Sequence, residues 1–212
     1  MTTTQFSLSF LLAVFFLLLT TTAIASRTTK SRSFSSASNG RGSTTTTTVL
    51  HPTELVSGVC NQTSNYSFCV QSLYADPRTP RADSYGLAFV VFGMSYLNAS
   101  STQDLIVSLS KNAQRGGGGG SGQNQSLLLT RLQRCSRDYK KAVSALEMAY
   151  NDLNSETFFE LADMARVAAS SAEDCQSGFE KTRNSPLTAR NRELKGLCEI
   201  CVVVSKLFTG GD

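Results

Sequence analysis

Histidine is almost absent from this chain: there is one, His51, in 212 residues, and it lies in a polar N-terminal stretch. Ser-His-Asp and Cys-His sites need a histidine held beside the nucleophile by packed structure, so that chemistry is excluded. Zinc sites recruit histidines or paired thiolates, and the same scarcity argues against one. No glycine-rich phosphate loop follows a strand-like run, and no cofactor is expected. Sustained period-two alternation is missing too, which argues against a sheet. Beyond residue 25 no apolar run approaches the roughly eighteen residues of a membrane helix, so no membrane anchor is expected. Charge is muted: the net value is +4. No block of like charge is long enough for a nucleic-acid arm, so no nucleic-acid partner is expected.

What the chain does have begins at its N-terminus. Phe6 to Leu19 is a hydrophobic run interrupted only by Ser7 and Ser9, too short to span a bilayer comfortably. Ala23-Ile24-Ala25 supplies the small residues of a cleavage site. Residues 1–25 therefore read as a signal peptide, cut after Ala25. Its first ten residues hold no Lys or Arg, so the amino terminus alone is positive there. Residues 26–50 are rich in Ser and Thr and nearly free of apolar side chains. Such a segment cannot bury enough surface to offset chain entropy and reads as a disordered leader. Residues 51–210 then form one domain, with a flexible Gly-rich loop over 116–122. Asn61, Asn65, Asn98 and Asn124 each open an Asn-X-Ser/Thr sequon, a permissive site for N-glycosylation in an exported chain.

Apolar residues recur at helical spacing through that domain. Residues 53–75 read as two short helices around a turn. Residues 82–112 give a long helix with Leu87, Val91, Met94, Leu97, Leu105 and Leu109 on one side. Tyr85, Phe89, Phe92 and Tyr96 form a second stripe beside it. Over 126–153, Leu128, Leu132, Cys135, Tyr139, Ala142, Leu146, Ala149 and Leu153 alternate by fours and threes, with Ser126 as a candidate N-cap. The same spacing continues over 156–181 and 187–208, broken by Asn184-Ser185-Pro186. Four long amphipathic helices on short connections predict an all-α, up-down-up-down four-helix bundle preceded by a short helical hairpin.

Cys135 and Cys175 fall on the core stripes of consecutive helices. They lie nearly equal distances either side of the turn near residue 154, so an antiparallel pairing brings them level and bridges them. Closing a loop of that size contributes roughly 4 kcal/mol in the chain-entropy account. Cys60 and Cys69 are a second spaced pair, and Cys198 and Cys201 make a C-x-x-C that sits inside a helical pattern. A redox C-x-x-C works at a helix N-terminus, where the dipole lowers a thiol pKa. These two read instead as free thiols packed as small hydrophobes.

Together these blocks resemble the plant inhibitors of invertase and pectin methylesterase. The resemblance runs from about 54 to 210. It is carried by Val59-Cys60-Asn61 through Phe68-Cys69, Ser72-Leu73, Asp76-Pro77-Arg78, Ala82-Asp83 and Gly86-Leu87-Ala88. Arg134-Cys135, Asp138-Tyr139, Ala142-Val143, Ala168 to Ala172, Cys175, Ser185-Pro186-Leu187, Asn191 and Leu197-Cys198 complete it. The resemblance implies bridges Cys60–Cys69 and Cys135–Cys175, with Cys198 the family's usual unpaired cysteine and Cys201 an extra one. It implies an inhibitor rather than an enzyme, with a plant invertase or pectin methylesterase as its protein partner. Asp76-Pro77-Arg78, Gly86-Leu87-Ala88 and Leu197-Cys198-Glu199-Ile200 look more like the branch that inhibits invertase, the β-fructofuranosidase. Some inhibitors of cell-wall invertase carry Pro-Lys-Phe at the start of the third bundle helix. Glu156-Thr157-Phe158-Phe159 stands there in this chain, retaining the aromatic and lacking the Pro and Lys.

The expected function is a secreted inhibitor that blocks the active-site cleft of a cell-wall or vacuolar invertase. A pectin methylesterase inhibitor on the same fold is the alternative. The expected location is the apoplast and cell wall, or alternatively the vacuole. Candidate target contacts are Phe158 and Phe159 as interface anchors. Arg134, Arg137 and Lys141 are a basic face meeting an acidic rim. Two rivals come from other classes: a secreted signalling or ligand-binding bundle, and an enzyme using converging carboxylates such as Glu147, Asp152, Glu156 and Glu160.

Overall fold

A computed structural model describes residues 51–115, 122–179 and 185–210. The expected signal peptide, the leader and most of the Gly-rich loop lie outside the described residues. Among the described residues the chain is all-helical. Two short helices, α1 (Glu54–Cys60) and α2 (Tyr66–Tyr74), precede four long ones: α3 (Ser84–Gln114), α4 (Gly122–Asn154), α5 (Leu161–Ser177) and α6 (Thr188–Thr209). A single 3₁₀ turn, Thr79–Arg81, joins α2 to α3. Each long helix packs on its neighbours in sequence and α6 closes back on α3, the up-down-up-down bundle expected.

The hairpin is stapled and capped. Thr53 Oγ1 accepts from the Val56 N–H at 3.3 Å and Asn65 Oδ1 from the Phe68 N–H at 3.0 Å, so both short helices have a side-chain N-cap. Cys60 and Cys69 are bridged, with their Cα atoms 5.5 Å apart. The hairpin docks on α6, where the backbone N–H and hydroxyl of Ser64 donate to the Glu199 carboxylate at 2.6 and 2.7 Å. Phe68 lies flush against α6 because residue 196 is glycine: a Cβ there would fall 2.5 Å from Phe68 Cε1. Gly196→Ala is therefore expected to cost about 1–3 kcal/mol by overpacking, read as a lowered urea midpoint. An unchanged midpoint would mean the hairpin is not held at this contact.

The second bridge, Cys135–Cys175, joins α4 to α5 with Cα atoms 4.5 Å apart, at the level the helix count predicts. A buried polar chain adds to it: the Tyr139 hydroxyl donates to Asn191 Oδ1 at 2.8 Å, and Asn191 Nδ2 donates to Gln176 Oε1 at 2.9 Å. One residue on each of α4, α6 and α5 is thus tied in register.

Two sequence expectations shift. Ser126 is not an N-cap, since α4 begins at Gly122. On α3 the expected Leu87, Val91 and Phe92 are buried, joined by Ala88, Val90, Ser95, Asn98, Ala99, Thr102 and Ile106, while Leu97 is 66 % exposed. The apolar count left out Ser95 and Thr102 because they are hydroxyl residues. Ser95 and Thr102 satisfy their hydroxyls on the carbonyls one turn back, Val91 and Asn98, at 2.8 Å each, and so enter the core without an unpaired group.

Candidate functional site

The connection between α4 and α5 is short and rigidly built. At the end of α4 the Glu156 N–H donates to the Leu153 carbonyl at 3.2 Å and the Thr157 N–H to the Asp152 carbonyl at 2.8 Å. Glu156 adopts a positive φ of 54°. This is a Schellman closure with glutamate where glycine is usual. It stops α4, and α5 starts at Leu161 rather than near 156 as the spacing suggested.

The closure sends the two phenylalanines opposite ways. Phe158 turns inward, stacking on Phe208 at 4.6 Å between centroids and meeting Tyr85 edge-to-face at 6.2 Å. Tyr85 is fixed in turn by a hydroxyl bond to the Leu153 carbonyl at 2.7 Å. Phe158 is thus a packing residue and not an exposed contact. Phe159 is 86 % exposed at the tip of the connection. The ring chain continues from Tyr85 to Phe89 and from Phe89 to Tyr150, edge-to-face at 4.8 and 5.3 Å. Tyr150 and Phe89 line an open groove with Leu97, Gly93, Asp76 and Arg78. Asp76 and Arg78 pair with each other, and the Arg78 guanidinium holds the Asp76 carboxyl below its ordinary range.

The expected basic face is present on α4, with Arg134, Arg137 and Lys141 all exposed. Its centre is a residue whose role sequence reasoning missed. Asp138 is buried, and its Oδ2 has no hydrogen-bond partner among the described residues. Arg134 Nε and Lys141 Nζ each lie 4.0 Å from its carboxylate, and Arg134 also donates to Ser177 Oγ at 3.3 Å. The signal was available: Asp138 sits between Cys135 and Tyr139, on the core edge of its helix. Burial pushes its carboxyl above the ordinary range, with Asp174 adding to the rise and Lys141, Arg134 and Arg137 opposing it.

A carboxyl whose pKa rises on folding binds its proton more tightly folded than unfolded. Ionised Asp138 therefore costs stability in full above the raised value and nothing below the ordinary carboxylate value. Asp138→Asn is expected to be about 1 kcal/mol more stable than the parent at neutral pH. That gain should fade as the pH falls into the ordinary carboxylate range, as thermal melts at the two pH values would show. A variant less stable than the parent at neutral pH would mean that the flanking cations more than offset the burial.

The basic face and Phe159 are not one site. Arg134 to Lys141 lie about 13–20 residues before the end of α4, roughly 20–30 Å along its axis from the Phe159 connection. Glu147, Glu156 and Glu160 are exposed and Asp152 is half-buried. Cys198 and Cys201 are free and buried, and the Cys201 Sγ lies 3.2 Å from Ser95 Oγ. Burial pushes the Cys201 thiol up to about 12 and the Cys198 thiol well above its ordinary value, so neither is a ready thiolate. Of the sequon asparagines, Asn61, Asn65 and Asn124 are exposed. Asn98, the fourth permissive site, is only 8 % exposed, inside α3.

The profile of the plant invertase/pectin methylesterase inhibitors matches residues 54–204. The chain belongs to this family. It is 32 % identical over 163 residues to "Cell wall / vacuolar inhibitor of fructosidase 2" of Arabidopsis thaliana, covering 74 % of this chain and 82 % of that one. It is 31 % identical over 158 residues to a "Pectinesterase inhibitor" of Actinidia deliciosa, covering 74 % and 80 % of the two. The fold matches a crystal structure of a mutant pectin methylesterase inhibitor from Arabidopsis, with a TM-score of 0.61 and 21 % identity over 72 % of this chain and 95 % of that one. Invertase/pectin methylesterase inhibitors are enzyme inhibitors rather than enzymes. The all-helical bundle shares its fold with that structure. No helix among the described residues is long and apolar enough to cross a membrane.

Proposed function

We propose that this inhibitor is exported and blocks the active-site cleft of a cell-wall or vacuolar invertase. The observation that carries the reading is Phe159, a large apolar side chain left 86 % exposed on a connection whose backbone is fixed by two closing hydrogen bonds. Its immediate neighbour Phe158 is anchored in the aromatic core, so the exposed ring is held on a stiff base. Invertase is a glycosidase whose paired carboxylates lie in a cleft. A preorganised aromatic tip can enter such a cleft with little ordering cost, and exposed aromatics of this kind are the usual anchors of an interface. The likeness to the Arabidopsis fructosidase inhibitor supports the same target. The basic face of α4 is placed to steer association with an acidic rim, an effect on rate more than on affinity.

Pectin methylesterase is the second reading, favoured by a nearly equal identity to the Actinidia pectinesterase inhibitor. Purified oxidised protein, added at micromolar concentration to separate invertase and pectin methylesterase assays at acidic pH, tests the two. Stoichiometric loss of invertase activity is expected. Loss of pectin methylesterase activity alone would move the target to the second reading. No loss in either assay would overturn both.

A further inference from the structure

The side chain of Asn65 does two things at once in this fold. Its Oδ1 caps α2 by accepting from the Phe68 N–H at 3.0 Å, while the residue as a whole stays exposed. The cap uses only the oxygen, so Nδ2 remains free. Asn65 also opens the sequon Asn65-Tyr66-Ser67, and Ser67 is exposed. Beside it lies a groove of about 450 Å³ between the hairpin and α6. Phe68, Gly196 and Ile200 form its apolar floor, and Arg192, Glu193 and Glu199 its polar rim. A pyranose with an acetamido group has the matching character, with an apolar C–H face, a methyl group and a hydroxylated edge. Asn98 is the contrast: its sequon is intact, yet the residue is buried in α3, with Oδ1 unpartnered among the described residues. At 8 % exposure inside α3, that residue leaves a sugar little room against its neighbours.

We propose that Asn65 is N-glycosylated, that the first N-acetylhexosamine of its glycan lies in the groove and braces the hairpin on α6, and that Asn98 is unmodified. The proposal rests on the export reading above, because the donor is met only in the secretory route. In the transfer, Nδ2 attacks the anomeric carbon of a lipid-diphosphate oligosaccharide. The new C–N bond replaces the C–O bond to the diphosphate, which leaves with the lipid, and the amide proton goes to base. Oδ1 keeps its lone pairs, so the α2 cap survives the modification.

The full chain, secreted from cultured eukaryotic cells, is treated with an N-glycan amidase in heavy-oxygen water and mapped by peptide mass spectrometry. Label is expected at Asn65 and not at Asn98. An exported chain unlabelled at Asn65, or a folded monodisperse one labelled at Asn98, would overturn the proposal. Ser67→Ala removes the sequon and leaves the Asn65 cap in place. Secreted Ser67→Ala should melt about 2–4 °C below the secreted parent, whereas the same pair made without glycosylation should melt together. Amidase treatment of the native parent turns Asn65 into Asp, whose carboxylate still accepts from the Phe68 N–H, and should give a comparable fall. Equal melting of the glycosylated and deglycosylated parent would overturn the groove placement. Export is read separately, from an N-terminus at Ser26 in the medium. Its absence would sink the export reading, whereas an exported chain with bare Asn65 sinks only this one.

Discussion

Truncating Phe159 to alanine should weaken inhibition of the target invertase at least ~30-fold, about 2 kcal/mol, while leaving the melting temperature where it was. Both halves of the expectation come from the same geometry. The ring is 86 % exposed, so its removal opens no cavity. The Schellman closure at Glu156 and the inward Phe158 still hold the backbone in place. Phe158→Ala should do the reverse. It deletes a ring stacked on Phe208 and edge-on to Tyr85, so it should lower the melting temperature first and affect inhibition only through loss of the connection. A Phe159→Ala variant that inhibits as well as the parent would move the contact elsewhere on the bundle, with the groove around Tyr150 and Leu97 the next surface to examine.

The second large effect lies in the core. Replacing Cys135 and Cys175 together by alanine should cost about 4 kcal/mol, most of the stability of a marginal domain. Both cysteines are fully buried, and the double replacement leaves no lone thiol behind. The Cys60–Cys69 bridge closes a much shorter loop, and its removal should cost about 2.5–3 kcal/mol. Urea titrations of the two double variants against the parent measure both. A smaller loss for the Cys135/Cys175 pair than for the hairpin pair would contradict the loop-closure account and point to the Tyr139–Asn191–Gln176 chain as the main tie between these helices.

Helix number, topology and the Cys135–Cys175 bridge were legible in the sequence because they rest on periodicity and on the level placement of those two cysteines, whereas the Cys60–Cys69 bridge was implied by the family resemblance. The same periodicity misplaced one residue of the inner face of α3. A count of apolar residues favours Leu97, but the fold prefers Ser95 and Thr102, whose hydroxyls are satisfied within their own helix. Asp138 escaped for the opposite reason: an aspartate beside three basic residues reads as surface, yet the turn from Cys135 to Tyr139 carries it inside. At the candidate site, the sequence supplied the pair Phe158-Phe159 but not which ring is free. That choice is made by the positive φ of Glu156 and by Tyr85 and Phe208, distant in sequence, waiting for one ring and not the other. Burial likewise separates the four sequons, since Asn98 alone of the four asparagines is buried.

The claim that this bundle closes a catalytic cleft is tested most directly by the kinetic form of inhibition. Steady-state invertase rates over a range of sucrose, at several fixed inhibitor concentrations, should show an apparent KM that rises with inhibitor and a kcat that does not change. A kcat that falls at constant KM would place the inhibitor away from the cleft and contradict the account.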